Sequence, residues 1–159
     1  MKLQLIFYTA IFISYVIYAQ NMNTYNYYEL AVQKWCGANH SYQIHGLWPQ
    51  YTNTTYPEYC NNVSFDSNIP KNLLSKMNND WNNCNDSLDL WKHEWTKHGT
   101  CFNEQTSLNQ TVFFETTINL FEFVKNDSNI CQNKTECIIG CFDLNYNQID
   151  CSTKHRLTY

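Results

Sequence analysis

Two short segments hold most of the side chains in this sequence that could move a proton or hold an anion. They are Ile44-His45-Gly46-Leu47-Trp48-Pro49 and Trp91-Lys92-His93-Glu94-Trp95-Thr96-Lys97-His98-Gly99-Thr100-Cys101. Drawn as an α-helix with a step of about 100°, the second segment sets His93 at about 0°, Lys97 at about 40°, Glu94 at about 100° and His98 at about 140°. All four ionisable groups then share one arc, and Trp95 and Thr96 fall outside it. Two imidazoles, a carboxylate and an ammonium make a poor core face. They make a good wall for a cleft that handles phosphate, because imidazole gives and takes protons near neutral pH. A solvated helix face with the i,i+4 pairs Glu94–His98 and His93–Lys97 would show the same arc, and the segment alone leaves both readings open. Zinc-binding helices space their histidines four apart. Here the spacing is five, which splays the rings by about 140° on a straight helix, so no metal site is expected.

His45 lies between Ile44 and Gly46, with Trp48 three residues on. Alone it fits a hydrogen-bonded structural residue as well as a catalytic one. Gly46 leaves room for another backbone or a ligand to come close. Trp48 suits either core filling or a platform on which a base stacks.

The pair of segments says more than either part. IHGLWP followed by HEWTKHGTC resembles, nearly residue for residue, the two active-site motifs of the ribonuclease T2 family, and the likeness runs from about Tyr25 to Cys101. The resemblance implies an α+β fold, with an antiparallel sheet packed against helices and stapled by disulfides. It implies an endoribonuclease of low base specificity that acts on single-stranded RNA and needs no cofactor or metal. The ribose 2′-hydroxyl attacks the adjacent phosphorus and a 2′,3′-cyclic phosphate is left behind. His98 would be the general base and His45 the general acid, roles that chemistry alone could exchange. His93 would contact phosphate, and Glu94 with Lys97 would stabilise or orient the transition state. Reaction through the 2′-hydroxyl implies that DNA is not cut. For base recognition the resemblance points to Trp48 and Tyr56. Gln50 stands where relatives often carry an acidic residue, and an amide both donates and accepts, so base preference rather than catalysis should differ. A secreted binding or signalling protein on the same scaffold is the other reading, in which replacing His45 or His98 would leave the biological effect intact. A small cysteine-rich structural or inhibitory protein is a third, and it would be inert on RNA at every pH.

Several elements must hold these groups. Residues 25–33 read as a buried strand and 42–47 as a shorter one closed by Pro49, followed by a polar loop over 50–69. Pro70 opens a helix through residue 81, with Leu73, Leu74 and Met77 at helical spacing. Residues 88–98 read as a second helix stopped by Gly99, and 111–124 as a third. Residues 136–144 and 148–151 form a strand pair turning over 145–147. Strands and helices mix without regular alternation, which is the α+β pattern.

Lys2 and an apolar run over residues 3–18, ending at Ala19, predict a signal peptide over 1–19 and a single domain over 20–159. An uncleaved membrane anchor is the competing reading of that run, which is short and interrupted for a membrane span. Eight cysteines beyond it predict four disulfides, although eight allow roughly a hundred connectivities. The family likeness suggests Cys60–Cys101 and Cys36–Cys84. Cys141–Cys151 flank the strand pair, which leaves Cys131–Cys137. Sequons at Asn39, Asn53, Asn62, Asn85, Asn109, Asn126 and Asn133 predict a glycosylated surface. Destination is therefore extracellular, with an acidic lysosome-like compartment as the alternative. After signal removal no membrane contact is expected, and a monomer is the default. Net charge is −4, poor for binding a polyanion, but protonating all five histidines brings it to +1, which favours an acidic setting. Compared with the family the part beyond Cys101 is short, so late helices or strands are expected to be trimmed, and no Trp-Pro follows the first strand, which reads Gln33-Lys34-Trp35-Cys36.

Overall fold

The computed structural model describes residues 24–34, 41–51, 55–126, 131 and 134–153. The segment 1–19, Cys36, Asn39, Asn53 and Asn133 lie outside the described residues. The fold is α+β. Strand β1, Tyr27–Gln33, is central; β2, Gln43–Gln50, pairs with one edge of it and β3, Glu136–Asp143, with the other. Strand β4, Gln148–Ile149, adds to β3, so the antiparallel order is β2-β1-β3-β4. Tyr28, Leu30 and Val32 alternate toward the helices and enter the main core. β2 runs on through Pro49, where the sequence suggests an earlier end. An edge strand tolerates a residue without an N–H, and β2 is such an edge.

Helix α1, Lys71–Asp80, starts behind Pro70, whose φ of −52° is already helical, and it buries Leu73 and Met77 one turn apart. Helix α2, Ser87–Glu94, is capped by the Asp86 side chain, which accepts from the Asp89 N–H. A π-helical turn, Trp95–Gly99, follows directly, and helix α3, Thr100–Thr106, continues from it. Gly99 therefore does not stop the helix. Its backbone is right-handed, and a Cβ there would collide with the Trp95 ring and crowd Phe113 at 3.1 Å, so the missing side chain lets the two aromatics close in. The stop comes at Ser107, in the left-handed region at φ 60°. Helix α4, Gln110–Val124, begins at Asn109, whose side chain accepts from the Val112 N–H, and it buries Phe113, Phe114, Ile118, Phe121 and Val124.

Between sheet and helices lie Trp81, Trp95, Phe102, Phe113 and Phe114, all fully buried and in edge-on or tilted ring contact. Burying one such side chain stabilises by about 2–3 kcal/mol, so these aromatics are a large share of what holds α1–α4 on the sheet. Disulfides join Cys60–Cys101, Cys131–Cys137 and Cys141–Cys151. Cys84 is also disulfide-bonded. Among the described residues no helix is long and apolar enough to cross a membrane. The sequon residues Asn62, Asn85, Asn109 and Asn126 are all exposed.

Candidate active site

His45 owes its position to an irregularity in β2. Opposite β1, Ala31 pairs with Gly46 and Val32 with Ile44, which leaves His45 as the extra residue of a β-bulge. A bulge bends the strand and re-aims one side chain, and it breaks the local hydrogen-bond ladder. The freed carbonyl of His45 accepts from the Trp81 indole N–H at 2.9 Å, while the Trp91 indole donates to the Trp81 carbonyl at 2.8 Å. A second shift, between Leu30 and Ala31, bulges β3 at Ile139 at nearly the same height.

The other groups come from the junction of α2 and the π turn. Its Thr100 N–H reaches back five residues to the Trp95 carbonyl. An i to i+5 bond changes the angular step of the helix, so the straight-helix angle of about 140° between His93 and His98 does not apply across this turn. The widened turn also turns the Lys97 carbonyl outward, where it accepts from the Tyr59 N–H at 2.9 Å. Cys60 N–H donates to the Thr100 hydroxyl and the Asn61 amide to the Thr100 carbonyl, and the Cys60–Cys101 bridge closes the same contact. The loop after β2 is thereby pinned against the π turn.

Glu94 is the centre of the cluster and only 1% exposed. Its Oε2 accepts from the Trp48 indole N–H at 2.9 Å, and its Oε1 lies 3.6 Å from His45 Nε2 and 4.0 Å from His93 Nε2. Gly46 makes this approach possible: a Cβ there would collide with the Glu94 carboxylate and stand 2.6 Å from the Trp48 indole nitrogen. Burial pushes the Glu94 carboxyl up to about 8, against the opposing hydrogen bond from Trp48 and the Lys97 charge.

His98 is 5% exposed, and its ring contacts Trp48 at 5.6 Å and Tyr56 at 6.1 Å. Burial, then the charges of Lys97, His93 and His45, bring its imidazole down to about 3. Among the described residues its buried Nδ1 has no hydrogen-bond partner, so an imidazolium there would carry an N–H with no acceptor, which favours the neutral ring. His45 is also held below its ordinary value by burial, opposed by a 2.7 Å hydrogen bond between its Nδ1 and Glu136 on β3. Lys97 is paired with Glu58 at 3.6 Å and lies over the Tyr56 ring at 5.5 Å.

His45, His93, Glu94, Lys97 and His98 thus stand together, with Trp48 in contact with both His45 and His98. His93 and Tyr56 are the open members, at 54% and 46% exposure. Gln50 is buried at the far end of β2, opposite Tyr27. Among the described residues no group of three His, Cys, Asp or Glu side chains converges as metal ligands would. Sequence reasoning missed three neighbours: Trp81, Glu58 and Glu136. Each arrives through tertiary packing: the sequence indicates the element that carries it, the helix end at 81, the loop over 50–69 and the strand from 136, but not what it meets.

The model of the ribonuclease T2 family matches residues 11–138. Intracellular ribonuclease LX of Solanum lycopersicum is 37% identical over 97 residues, which are 58% of this chain and 38% of that protein. Ribonuclease 1 of Arabidopsis thaliana is 39% identical over 82 residues, 48% of this chain and 35% of that protein. The chain therefore spans little more than a third of the length of these curated relatives. Ribonuclease MC1 from bitter gourd seeds superposes with a TM-score of 0.55 at 27% identity, covering 63% of this chain and 59% of that one. A variant of it in complex with 5′-UMP superposes at 0.56, also at 27% identity, over 64% and 58% of the two chains.

Proposed function

This chain belongs to the ribonuclease T2 family, and on that premise we propose that it is a secreted endoribonuclease that cuts single-stranded RNA and leaves 2′,3′-cyclic phosphate ends. The observation that carries the reading is the convergence of His45 and His93 within 4.0 Å of the Glu94 carboxyl, beside a buried His98 whose imidazole is held well below its ordinary value by burial. A neutral imidazole can accept the 2′-hydroxyl proton as O2′ bonds to phosphorus. The second imidazole, protonated, returns a proton to O5′ as the P–O5′ bond breaks. His98 is the base because its surroundings refuse the imidazolium until an anionic phosphodiester arrives beside it. His45 is the acid, because the Glu136 carboxylate stands 2.7 Å from its Nδ1 and favours the protonated ring.

Glu94 keeps its proton to about 8 and so acts as a donor to a non-bridging phosphate oxygen rather than as a repelling anion. His93 and Lys97 supply positive charge; Lys97 exchanges Glu58 for phosphate when substrate binds. The base rests against Trp48 and Tyr56, with Gln50 acting from beneath. A relative of this fold in complex with 5′-UMP supports an RNA substrate. No metal takes part, the 2′-hydroxyl requirement excludes DNA, and a single chain contains every group needed. The exposed sequon residues support a glycosylated, exported protein.

The test is direct. The chain, expressed in a secretory host, is incubated with single-stranded RNA between pH 4 and 8 in the presence of EDTA, beside a His98→Ala sample. Cleavage with cyclic phosphate ends, unaffected by EDTA and reduced at least about 1,000-fold in the variant, is the expected result. A folded, oxidised chain that leaves RNA intact at every pH would overturn the proposal.

A further inference from the structure

Glu136 belongs to neither of the two segments that carry the catalytic groups. It is the first residue of β3, opposite Gln33 of β1, which in turn pairs with Gln43 of β2. His45 is the bulged residue of β2, and the whole of β1 separates it from β3. The two side chains nevertheless meet over β1, His45 Nδ1 to Glu136 Oε1 at 2.7 Å, a distance in the range of a charge-assisted hydrogen bond. Without the bulge the ladder would turn residue 45 to a different side of the strand, and the contact would be lost.

An ionised carboxylate only accepts, so the ring nitrogen that faces it must carry the hydrogen. The nitrogen left over is Nε2, which points to Glu94 Oε1 at 3.6 Å and so into the cluster. Resting on the ribonuclease reading, we propose that Glu136 is a positioning residue for the reaction: it holds a hydrogen on Nδ1 and fixes the orientation of His45, so that the second proton taken up by the ring sits on Nε2 and the imidazolium gives that proton to the leaving O5′. The residue touches neither substrate nor the reacting atoms; it acts through His45.

The other charged groups around His45 do not duplicate this role. Glu94, from α2, faces Nε2 and is held neutral. His93 and Lys97, from α2 and the π turn, oppose a charge on His45, and His98 is itself neutral. Among the described residues acting on the ring, Glu136 favours the imidazolium, against burial and those cations. It is partly exposed, which limits the strength of the effect.

Glu136→Gln keeps an acceptor but removes the charge, and Glu136→Ala removes both. The expected result for Glu136→Ala is a kcat lower by about 10- to 100-fold with KM changed less than about 2-fold. In both variants the alkaline limb of kcat should move to lower pH, by about half a unit to one unit. Glu136→Gln should recover most of the rate at low pH while keeping the displaced limb. On a His45→Ala background, Glu136→Ala should cost nothing further, whereas a merely structural role would add its loss. Nitrogen chemical shifts of His45 read the contact without any substrate: Nδ1–H in the native chain, a shift toward the Nε2–H form in Glu136→Ala. Unchanged shifts, an unmoved limb or an additive double variant would overturn the assignment. A native chain that cleaves no RNA yet shows the Nδ1–H tautomer, lost in Glu136→Ala, would remove the ribonuclease reading and keep the orienting contact.

Discussion

At Gly46 the backbone of β2 passes so close to the Glu94 carboxylate that any side chain must push the acid aside. Gly46→Ala should therefore lose about 1–3 kcal/mol of stability in a urea titration, the range for inserting a methyl group into filled space. It should lose activity as well at temperatures where the variant is still folded, because Glu94 must move off the Trp48 indole. Activity that follows the folded fraction alone would contradict this account. At this scale the sequence was readable where chemistry follows from residue type. Histidines, a carboxylate and a lysine at close spacing declare themselves. What stayed hidden was the partner of each group. That Glu94 would hold its proton, or that Glu58 would pair with Lys97, depends on burial and on loops folding back, and neither is written in local spacing.

Elements were legible to the extent that they follow hydrophobic period and end signals. Pro70 before α1 and the aromatic stripe of α4 are both plain in the sequence, and both helices form there. The helix over the second segment runs past the stop that Gly99 suggests, because that glycine serves close packing against Trp95. The π turn was equally invisible, since it is sustained by contacts from the loop that follows β2 rather than by its own residues. That dependence can be measured. The Cys60–Cys101 bridge spans 41 residues, and in the chain-entropy account closing a loop of that length stabilises by about 4 kcal/mol. Replacing both cysteines by serine should lower the unfolding free energy by about that amount. It should also weaken RNA cleavage beyond the loss of folded protein, as the π turn relaxes toward an ordinary helix. A double-serine chain with native activity per folded molecule would show that the turn stands without the loop.

For the molecule as a whole, two buried groups of opposite type shape stability against pH. Glu94 in the folded chain keeps its proton to about 8, whereas its ordinary value is 4.5, so between those limits the native state binds a proton that the unfolded chain has released. Stability must fall as pH rises through that interval. His98 behaves inversely: its ordinary value of 6.5 drops to about 3 on folding, so below 6.5 the unfolded chain takes a proton that the native state refuses, and stability falls as pH drops. The two slopes oppose each other between 4.5 and 6.5, and the thermal midpoint should be highest there. Glu94→Gln should flatten the descent above 6.5 in a series of melting curves; an unchanged descent would mean Glu94 is not its source. The α+β class and the family were both readable from the sequence, while strand order was not, because the contacts that bring β3 beside β1 join residues about a hundred positions apart. The Cys60–Cys101 bridge has a consequence for the cell that makes the protein. The loop carrying Tyr56 and Glu58 is fastened to the catalytic turn by a bond that forms only in an oxidising compartment. On the ribonuclease proposal, a newly synthesised chain still in the thiol form lacks that fastening, and cleavage assayed before and after oxidation should rise as the bond closes.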